Sequence, residues 1–330
     1  MNIHQIYVEE EIFSDPKVQR IITRFPLVPV IKIKQYQEIF NRKKQNFRVQ
    51  KETPCLILAK KFQNFIHPIP QQFGLGADYH FYFSYVINCP FDCSYCFLQG
   101  LNRSSHYVIF INNHDFIEAI QNECLKNPDK NYLFFSGYDS DSLALDGLSK
   151  FSYEFLPFFE TLKNAKCEVR TKSIQIKPLL ELNTTKNTIV AYTLNPEEVI
   201  KRDERKTPPL EKRIEAIQKL QSAGYKIGLR FDPIMWIDDA FNIYDRFFKL
   251  VMKEIDISSL HSVTIGSYRL PKQVFQNFVK ISPFDSRLAL LEESEKQEYS
   301  YPVSVVEKLL QNSYNTIAEL VPVNKIFLMQ

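Results

Sequence analysis

The chain has 330 residues, of which 45% are hydrophobic, 14% aromatic and 24% charged, so it can bury a sizeable core and is not a disordered polymer. A net charge of +3 and an isoelectric point near 8.3 do not by themselves announce a nucleic-acid partner. Its 8 glycines form neither G-x-G-x-x-G nor G-x-x-x-x-G-K-S/T, and no G-x-S-x-G occurs, which excludes a dinucleotide loop, a P-loop and a nucleophile elbow.

In chain order, residues 1–75 mix short helices and strands as an N-terminal α/β extension. No basic segment followed by an apolar one opens the chain, and no run reaches the roughly 18 apolar residues of a membrane span. The expected location is therefore the cytoplasm, with no membrane partner. Ser14-Asp15-Pro16 predicts a helix start, with a polar cap and proline in the first turn. Residues 55–59 predict a strand, and the Pro/Gln/Gly stretch over 68–76 predicts a linker.

A strand–helix rhythm follows over 76–268. Strands are expected at 80–88, 131–136, 166–171, 187–193, 225–231 and 261–265. Helices are expected near 114–126, 147–164, 175–183, 195–223 (broken at Pro208-Pro209) and 239–254. This alternation predicts an α/β fold, a partial (β/α)6 barrel of parallel strands with right-handed crossovers. Residues 269–330 form a C-terminal helical and irregular segment, with a helix near 302–317.

Active-site groups in such barrels sit at the C-terminal ends of strands. The second strand leads into Gly137-Tyr138-Asp139-Ser140-Asp141, and the third ends in Arg170-Thr171-Lys172-Ser173. The fourth ends in Tyr192-Thr193-Leu194-Asn195, the fifth in Arg230-Phe231-Asp232-Pro233, and the sixth leads to Gly266-Ser267-Tyr268-Arg269. Helix capping explains Ser140, Asp141, Asn195 or Asp232 singly as well as binding does. Ser140 and Asp141 together with Lys172 and Thr193, at one mouth, point to a bound ligand.

The first strand runs into Cys89-Pro90-Phe91-Asp92-Cys93-Ser94-Tyr95-Cys96. Three thiolates in one short loop can hold a cubane iron–sulfur cluster and leave one iron without a protein ligand. Zinc usually takes two ligand pairs; Cys55, Cys124 and Cys167 are isolated and His106 has no nearby partner. A redox pair would use Cys93 and Cys96 but leave Cys89 idle. Together with Tyr95, the spacing resembles the cluster loop of radical S-adenosylmethionine (SAM) enzymes, in which the methionine end of SAM chelates the open iron.

The stretch Cys89 to Gln99 further resembles the spore photoproduct lyase family, whose C-x3-C-x2-C loop runs into an aromatic residue, leucine and glutamine. Matching landmarks follow in order: Ser140-Asp141 with Asp146, then Lys172, Thr193-Leu194-Asn195, Thr207 through Arg213, and Gly224 through Ile234. The similarity extends from about residue 50 to 270. It implies a radical SAM barrel with a [4Fe–4S] cluster on Cys89, Cys93 and Cys96. Tyr95 would pack near the adenine of SAM, and Ser140, Lys172 and Thr193, with Asp141 beside them, would bind its methionine or ribose groups. The implied activity is a carbon–carbon lyase reaction on a thymine–thymine photoproduct in DNA, driven by a 5′-deoxyadenosyl radical. It also implies a one-electron donor such as flavodoxin or ferredoxin.

Two positions depart from the family. The cysteine that returns a hydrogen atom to the product radical is replaced by Tyr138, a candidate catalytic phenol. Phe97 stands where the family has tyrosine. A radical SAM enzyme of the same fold acting on a modified nucleotide or peptide is therefore an alternative, as is a nucleic-acid-binding protein with a structural metal loop. For DNA contact, Arg42, Lys43, Lys44, Arg48, Lys51, Lys60 and Lys61 alternate with Phe40, Phe47 and Phe62. Lys201, Arg202, Arg205, Lys206, Lys212 and Arg213 form a second set. A solvated helix face explains the second set as well, since Asp203, Glu204 and Glu211 dilute it.

Overall fold

The computed structural model describes residues 2–182, 184–295 and 297–329. Seven of its strands lie side by side in chain order: β1 (Tyr79–Phe83), β2 (Tyr132–Ser136), β3 (Ala165–Thr171), β4 (Thr188–Thr193), β5 (Lys226–Ile234), β6 (Leu260–Ser267) and β7 (Ile326–Met329). Neighbours are parallel throughout, and His67–Pro68 adds an antiparallel edge beside β1. Helices fill the crossovers: Asn113–Lys126, Phe151–Thr161, Lys177–Leu182, Leu210–Ser222, Ala240–Glu254 and Val303–Ala318. The result is an open, curled α/β barrel, with the ends of β1 to β6 gathered at one mouth.

Five of the six expected strands form, the first forms only in part, and β7 adds a seventh from an apolar run at the end of the chain. The helix expected over 175–183 forms as Lys177–Leu182; its last expected residue, Asn183, lies outside the described residues. The segment 195–223 breaks as expected, into Glu197–Asp203 and Leu210–Ser222, with Pro208-Pro209 between them. The helix expected over 147–164 is interrupted at Lys150, whose φ of 58° ends one short helix before Phe151–Thr161 begins. Asp15 caps the helix Pro16–Ile22 by accepting from Lys17 N at 2.7 Å.

The expected strand 80–88 is split. β1 ends at Phe83, and Val86–Ile87 turns away to pair antiparallel with Tyr107–Phe110. Ser84 Oγ donates to Asp139 at 2.5 Å and Tyr85 Oη to the Ser142 carbonyl at 2.6 Å, so both residues at the break are held by the loop after β2. Tyr107–Phe110, which no periodicity marked, belongs to a second sheet with Leu56–Ala59, Ile6–Glu9 and Val30–Ile33. The stretch expected as a linker is docked: Ile69 N donates to the His80 carbonyl at 2.8 Å and Leu75 N to His80 Nε2 at 2.9 Å.

A phenylalanine-rich core backs the first half of the barrel. Phe83, Phe116, Phe134, Phe151, Phe155 and Phe159 are fully buried. Tyr85 stacks on Phe151 at 4.4 Å and Phe83 on Phe155 at 5.3 Å. Each such ring contributes about 1.5–3 kcal/mol by burial, so this half forms a rigid wall beneath the cysteine loop. No described helix is long and apolar enough to cross a membrane.

Candidate active site

The cysteine loop leaves the barrel after Val86–Ile87 and is held from both sides. Its two-residue strand Asp92–Cys93 pairs antiparallel with Glu204–Arg205, which follows the helix Glu197–Asp203 beyond β4. Ser94 N donates to the Asp203 carbonyl at 2.7 Å, and Arg287, from the C-terminal segment, reaches Ser94 Oγ at 2.5 Å and Asp203 at 2.8 Å. Gln99 Nε2 donates to the Cys93 carbonyl at 2.7 Å. Arg48 pairs with Asp92 at 2.6 Å, and the buried Lys51 ammonium donates to the Cys89 carbonyl.

Inside this loop lies a cavity of about 630 Å³ at the barrel mouth. Cys89, Cys93 and Cys96 line it, with Tyr95, Tyr138, Ser140, Asp141, Lys172 and Thr193. Every site residue expected from the sequence thus meets in one place. Aromatic walls are supplied by Phe73, Tyr82, Phe91, Phe97, Phe135 and Tyr268. Tyr138 is half exposed, with its ring stacked on Tyr82 at 4.3 Å and tilted against Phe97 at 5.4 Å.

The polar groups differ in what remains free. Asp141 is largely committed: Oδ1 accepts from Leu143 N (3.0 Å), Ala144 N (2.9 Å) and Thr171 Oγ1 (2.7 Å), and Oδ2 from Lys172 N (2.6 Å). It orders the loop after β2 against the end of β3. Ser140 Oγ donates to the Asn88 carbonyl at 2.9 Å, leaving its lone pairs available. The side chains of Lys172 and Thr193 make no hydrogen bond among the described residues. Lys172 stands 5.7 Å over the Tyr95 ring. Asp146 lies outside the cavity, where Oδ1 accepts from Ser152 N at 2.9 Å near the start of the helix Phe151–Thr161.

Tyr95 is fixed by a buried network. Its hydroxyl donates to Glu204, which also accepts from Asn195 Nδ2 at 3.0 Å and pairs with Arg213 at 2.5 Å. Arg213 then reaches Thr207 Oγ1 (2.7 Å) and the carbonyls of Pro208 (2.8 Å) and Thr193 (3.2 Å). Burial pushes the Cys89 thiol up to about 12, reinforced by Asp141 and opposed by Lys51. Burial raises Cys93 and Cys96 too, with Lys172 pulling against it. Burial disfavours the Lys172 charge, but Glu204 and Cys93 outweigh it and raise the ammonium. The loop carries three thiols whose negative form two lysines are placed to support.

Three thiols of one loop are a donor set that could hold an iron–sulfur cluster. All six cysteines are unpaired, and three of them face one cavity. Among the described residues no three His, Cys, Asp or Glu side chains close on one point as a mononuclear metal requires. A zinc ion with sulfurs at about 2.3 Å would need that convergence. A cubane binds each thiolate through a different iron, so its sulfurs stand apart.

A sequence model described as spore photoproduct lyase matches residues 4–312. The chain belongs to the spore photoproduct lyase family. It is 24% identical over 215 residues to a spore photoproduct lyase of Clostridium acetobutylicum, covering 65% of this chain and 63% of that one. It is 27% identical over 151 residues to one of Bacillus subtilis, covering 46% and 44%. The chain therefore aligns with less than two thirds of these relatives' length. A solved spore photoproduct lyase mutant with bound AdoMet and dinucleoside spore photoproduct shares the fold, with TM-score 0.82, 17% identity, and coverage of 99% of this chain and 98% of that one.

Parts of the two basic sets serve the site rather than an outside partner. Arg48, Lys51 and Arg213 are drawn inward to the cysteine loop and the Tyr95 network. Arg202 pairs with Asp203 at 2.7 Å, Lys201 with Glu197 at 3.4 Å and Lys212 with Glu215 at 2.6 Å. Arg42, Lys43, Lys44, Arg205 and Lys206 remain exposed. Glu204, Gln99 and Asn195 were not singled out as site residues, yet they hold its geometry.

Proposed function

We propose that this family member is a radical SAM lyase that holds a [4Fe–4S] cluster on Cys89, Cys93 and Cys96 and acts on a thymine photoproduct in DNA. The observation that carries this reading is three free thiols of one short loop lining a barrel-mouth cavity beside Lys172, whose side chain makes no hydrogen bond among the described residues. When bound, the cluster and SAM supply a 5′-deoxyadenosyl radical, the hard chemistry of the reaction. The Lys172 ammonium, which lines the cavity, suits the methionine carboxylate. Ser140 Oγ and Thr193 Oγ1 offer hydroxyls for its amine or the ribose, and the fixed Tyr95 ring offers a face for adenine. Asp141 positions Lys172 through the backbone, and the aromatic walls keep water from the reacting atoms.

DNA as substrate is supported by the exposed Arg42, Lys43, Lys44, Arg205 and Lys206. A lesion would have to be extruded to reach the cavity. Electrons would come from a small one-electron carrier such as flavodoxin or ferredoxin, and the unpaired cysteines suit the reducing cytoplasm. Anaerobic reconstitution with iron, sulfide, SAM and dithionite is expected to yield 5′-deoxyadenosine, and then thymine from DNA bearing spore photoproduct. Protein that takes up neither iron nor sulfide overturns the proposal.

Tyr138 favours a second reading, the same cofactor chemistry on another substrate such as a modified nucleotide or a peptide. A phenol can return a hydrogen atom, though a thiol is the faster donor. If the wild type repairs the lesion and Tyr138→Phe does not, Tyr138 is the donor. If only Tyr138→Cys repairs it, the site is tuned to another molecule.

A further inference from the structure

Below the SAM-facing end of the cavity, two arginines share one carboxylate. Glu168 and Arg230 are buried, at 0% and 1% exposure. Glu168 Oε1 accepts from Arg230 Nε (3.1 Å), Arg170 Nε (3.1 Å) and Arg170 Nη2 (2.9 Å), and Oε2 from Arg230 Nη2 (2.6 Å). The remaining Arg230 donors reach the Leu229 carbonyl at 3.0 Å, the Ser262 carbonyl at 3.2 Å and Ser262 Oγ at 3.0 Å. Arg230 is saturated. Arg170 is not: its Nη1 has no partner among the described residues, its side chain is 40% exposed, and it lines the cavity.

Two guanidinium groups face one carboxylate, and the nearby Asp232 is matched by Arg269 at 3.2 Å. His261, within 3.0 Å of Ser262 Oγ, is kept neutral by burial. Arg170 therefore keeps a charged donor that neither Glu168 nor Asp232 takes up, on a side chain that lines the open cavity beside Lys172, Arg269 and Glu298. A guanidinium fixed at two nitrogens and free at the third is oriented before anything binds.

Position narrows what it meets. Alternate residues of a strand share a face, so Glu168, Arg170 and Lys172 rise along β3 from the interior toward the cluster end. Arg170 lies one step deeper than Lys172, 5.6 Å over the Phe135 ring, in a cavity walled by Tyr82, Phe73 and Tyr138. A flat ring held between such walls, with its reacting edge toward the cluster end, turns its opposite edge to Arg170. An extruded lesion enters bases first, leaving its backbone at the mouth.

We propose that Arg170 is a substrate-binding residue whose Nη1 donates to a ring carbonyl oxygen of the pyrimidine, with Glu168 holding it in place. This rests on the lesion reading above. A charged donor favours electron density on that oxygen, so the contact both selects a pyrimidinedione ring and steadies it.

The test measures binding of two probes to reconstituted, SAM-loaded protein by calorimetry: dinucleoside spore photoproduct, which lacks a phosphate, and the corresponding dinucleotide. Arg170→Met is expected to weaken both by the same factor, about tenfold or more, and Arg170→Lys by less. SAM affinity and substrate-free 5′-deoxyadenosine formation should stay at wild-type values, which also shows that the variants fold. A larger loss for the dinucleotide assigns Arg170 to phosphate and overturns the carbonyl contact. Weakened SAM binding assigns it to the cofactor and does the same. Wild-type affinity for both probes in Arg170→Met leaves the residue no role in binding. Wild-type protein that cleaves SAM but binds neither probe overturns the lesion reading, and this contact with it.

Discussion

Glu204 and Glu168 are both buried against arginine, yet one network closes on itself and the other stays open. Glu204 is answered by Arg213, Tyr95 and Asn195, all buried, and the arginine's other donors end on Thr207 and on main-chain carbonyls. Nothing in that set is left for a ligand, and its product is a fixed strand beside Cys93. Glu168 gathers one saturated arginine and one with a free edge in the cavity. Buried ion pairs are weak evidence for stability because desolvation offsets the attraction. What separates these two is whether all donors are satisfied within the chain, which distinguishes a scaffold from a binding surface.

The largest effect expected of any substitution falls on the thiols, and it separates scaffold from chemistry. Alanine at Cys89, Cys93 or Cys96 should abolish cluster uptake and SAM cleavage. The loop should keep its place, because Glu204–Arg205, Gln99 and Arg287 hold it rather than the sulfurs. Iron and sulfide content read the first outcome and the melting temperature the second. A variant that loses the cluster and unfolds together would show that the metal, not the closed network, orders the loop.

Next in size is the closed network itself. Arg213→Met leaves Glu204 buried without its cation and should cost about 3–5 kcal/mol, read from urea unfolding. An unchanged unfolding midpoint would mean that Tyr95, Asn195 and Lys172 suffice to hold the carboxylate.

Acid should uncover both networks, after two histidines. Burial pushes His106 and His261 down to about 4, and His106 Nδ1 accepts from Cys55 N at 3.1 Å, a bond that needs the bare nitrogen. Their folded values lie below the ordinary 6.5, so the unfolded chain takes up protons first. Stability should therefore fall as pH drops from about 6.5 toward 4. Burial would raise both carboxyls, but Arg230 and Arg170 overcome it and hold Glu168 down at about 2, and Lys172 and Arg213 overcome it and lower Glu204. These carboxylates keep their contribution until pH passes the ordinary 4.5, then lose it as pH falls further. Urea midpoints across this range should show two stages, with His106→Gln flattening the upper one. A single stage starting below 4.5 would contradict it.

Much of this was legible in the sequence because it is local. Strand–helix alternation between turn residues marks the barrel, and three cysteines in one loop mark the candidate site. What was not legible depends on distant partners. The break at Ser84 and Tyr85 exists because Asp139 and the Ser142 carbonyl take their hydroxyls. Glu204 sits in a run of lysines and arginines and reads as a solvated charge. A signal was present for Arg213, which shares the inner face of its helix with Leu210, Ile214 and Ile217, all buried. Lys51 likewise follows Phe47 by one turn, and both are buried. Charges on an apolar face were the clue that these cations point inward.

The smallest effect is the most discriminating. Removing Arg170 should barely touch stability, in contrast to Arg213. Its side chain is 40% exposed to the cavity, so in the unliganded protein water already meets part of its charge. The carboxylate it leaves keeps Arg230 at 2.6 Å, with Ser262 still satisfying the rest of that guanidinium. One of two neighbouring cations also disappears, which relieves the repulsion between Arg170 and Arg230. These terms oppose the lost hydrogen bonds, so Arg170→Met should shift unfolding by less than about 1 kcal/mol. A loss as large as that of Arg213→Met would mean that the open edge is incidental and that both arginines are scaffold.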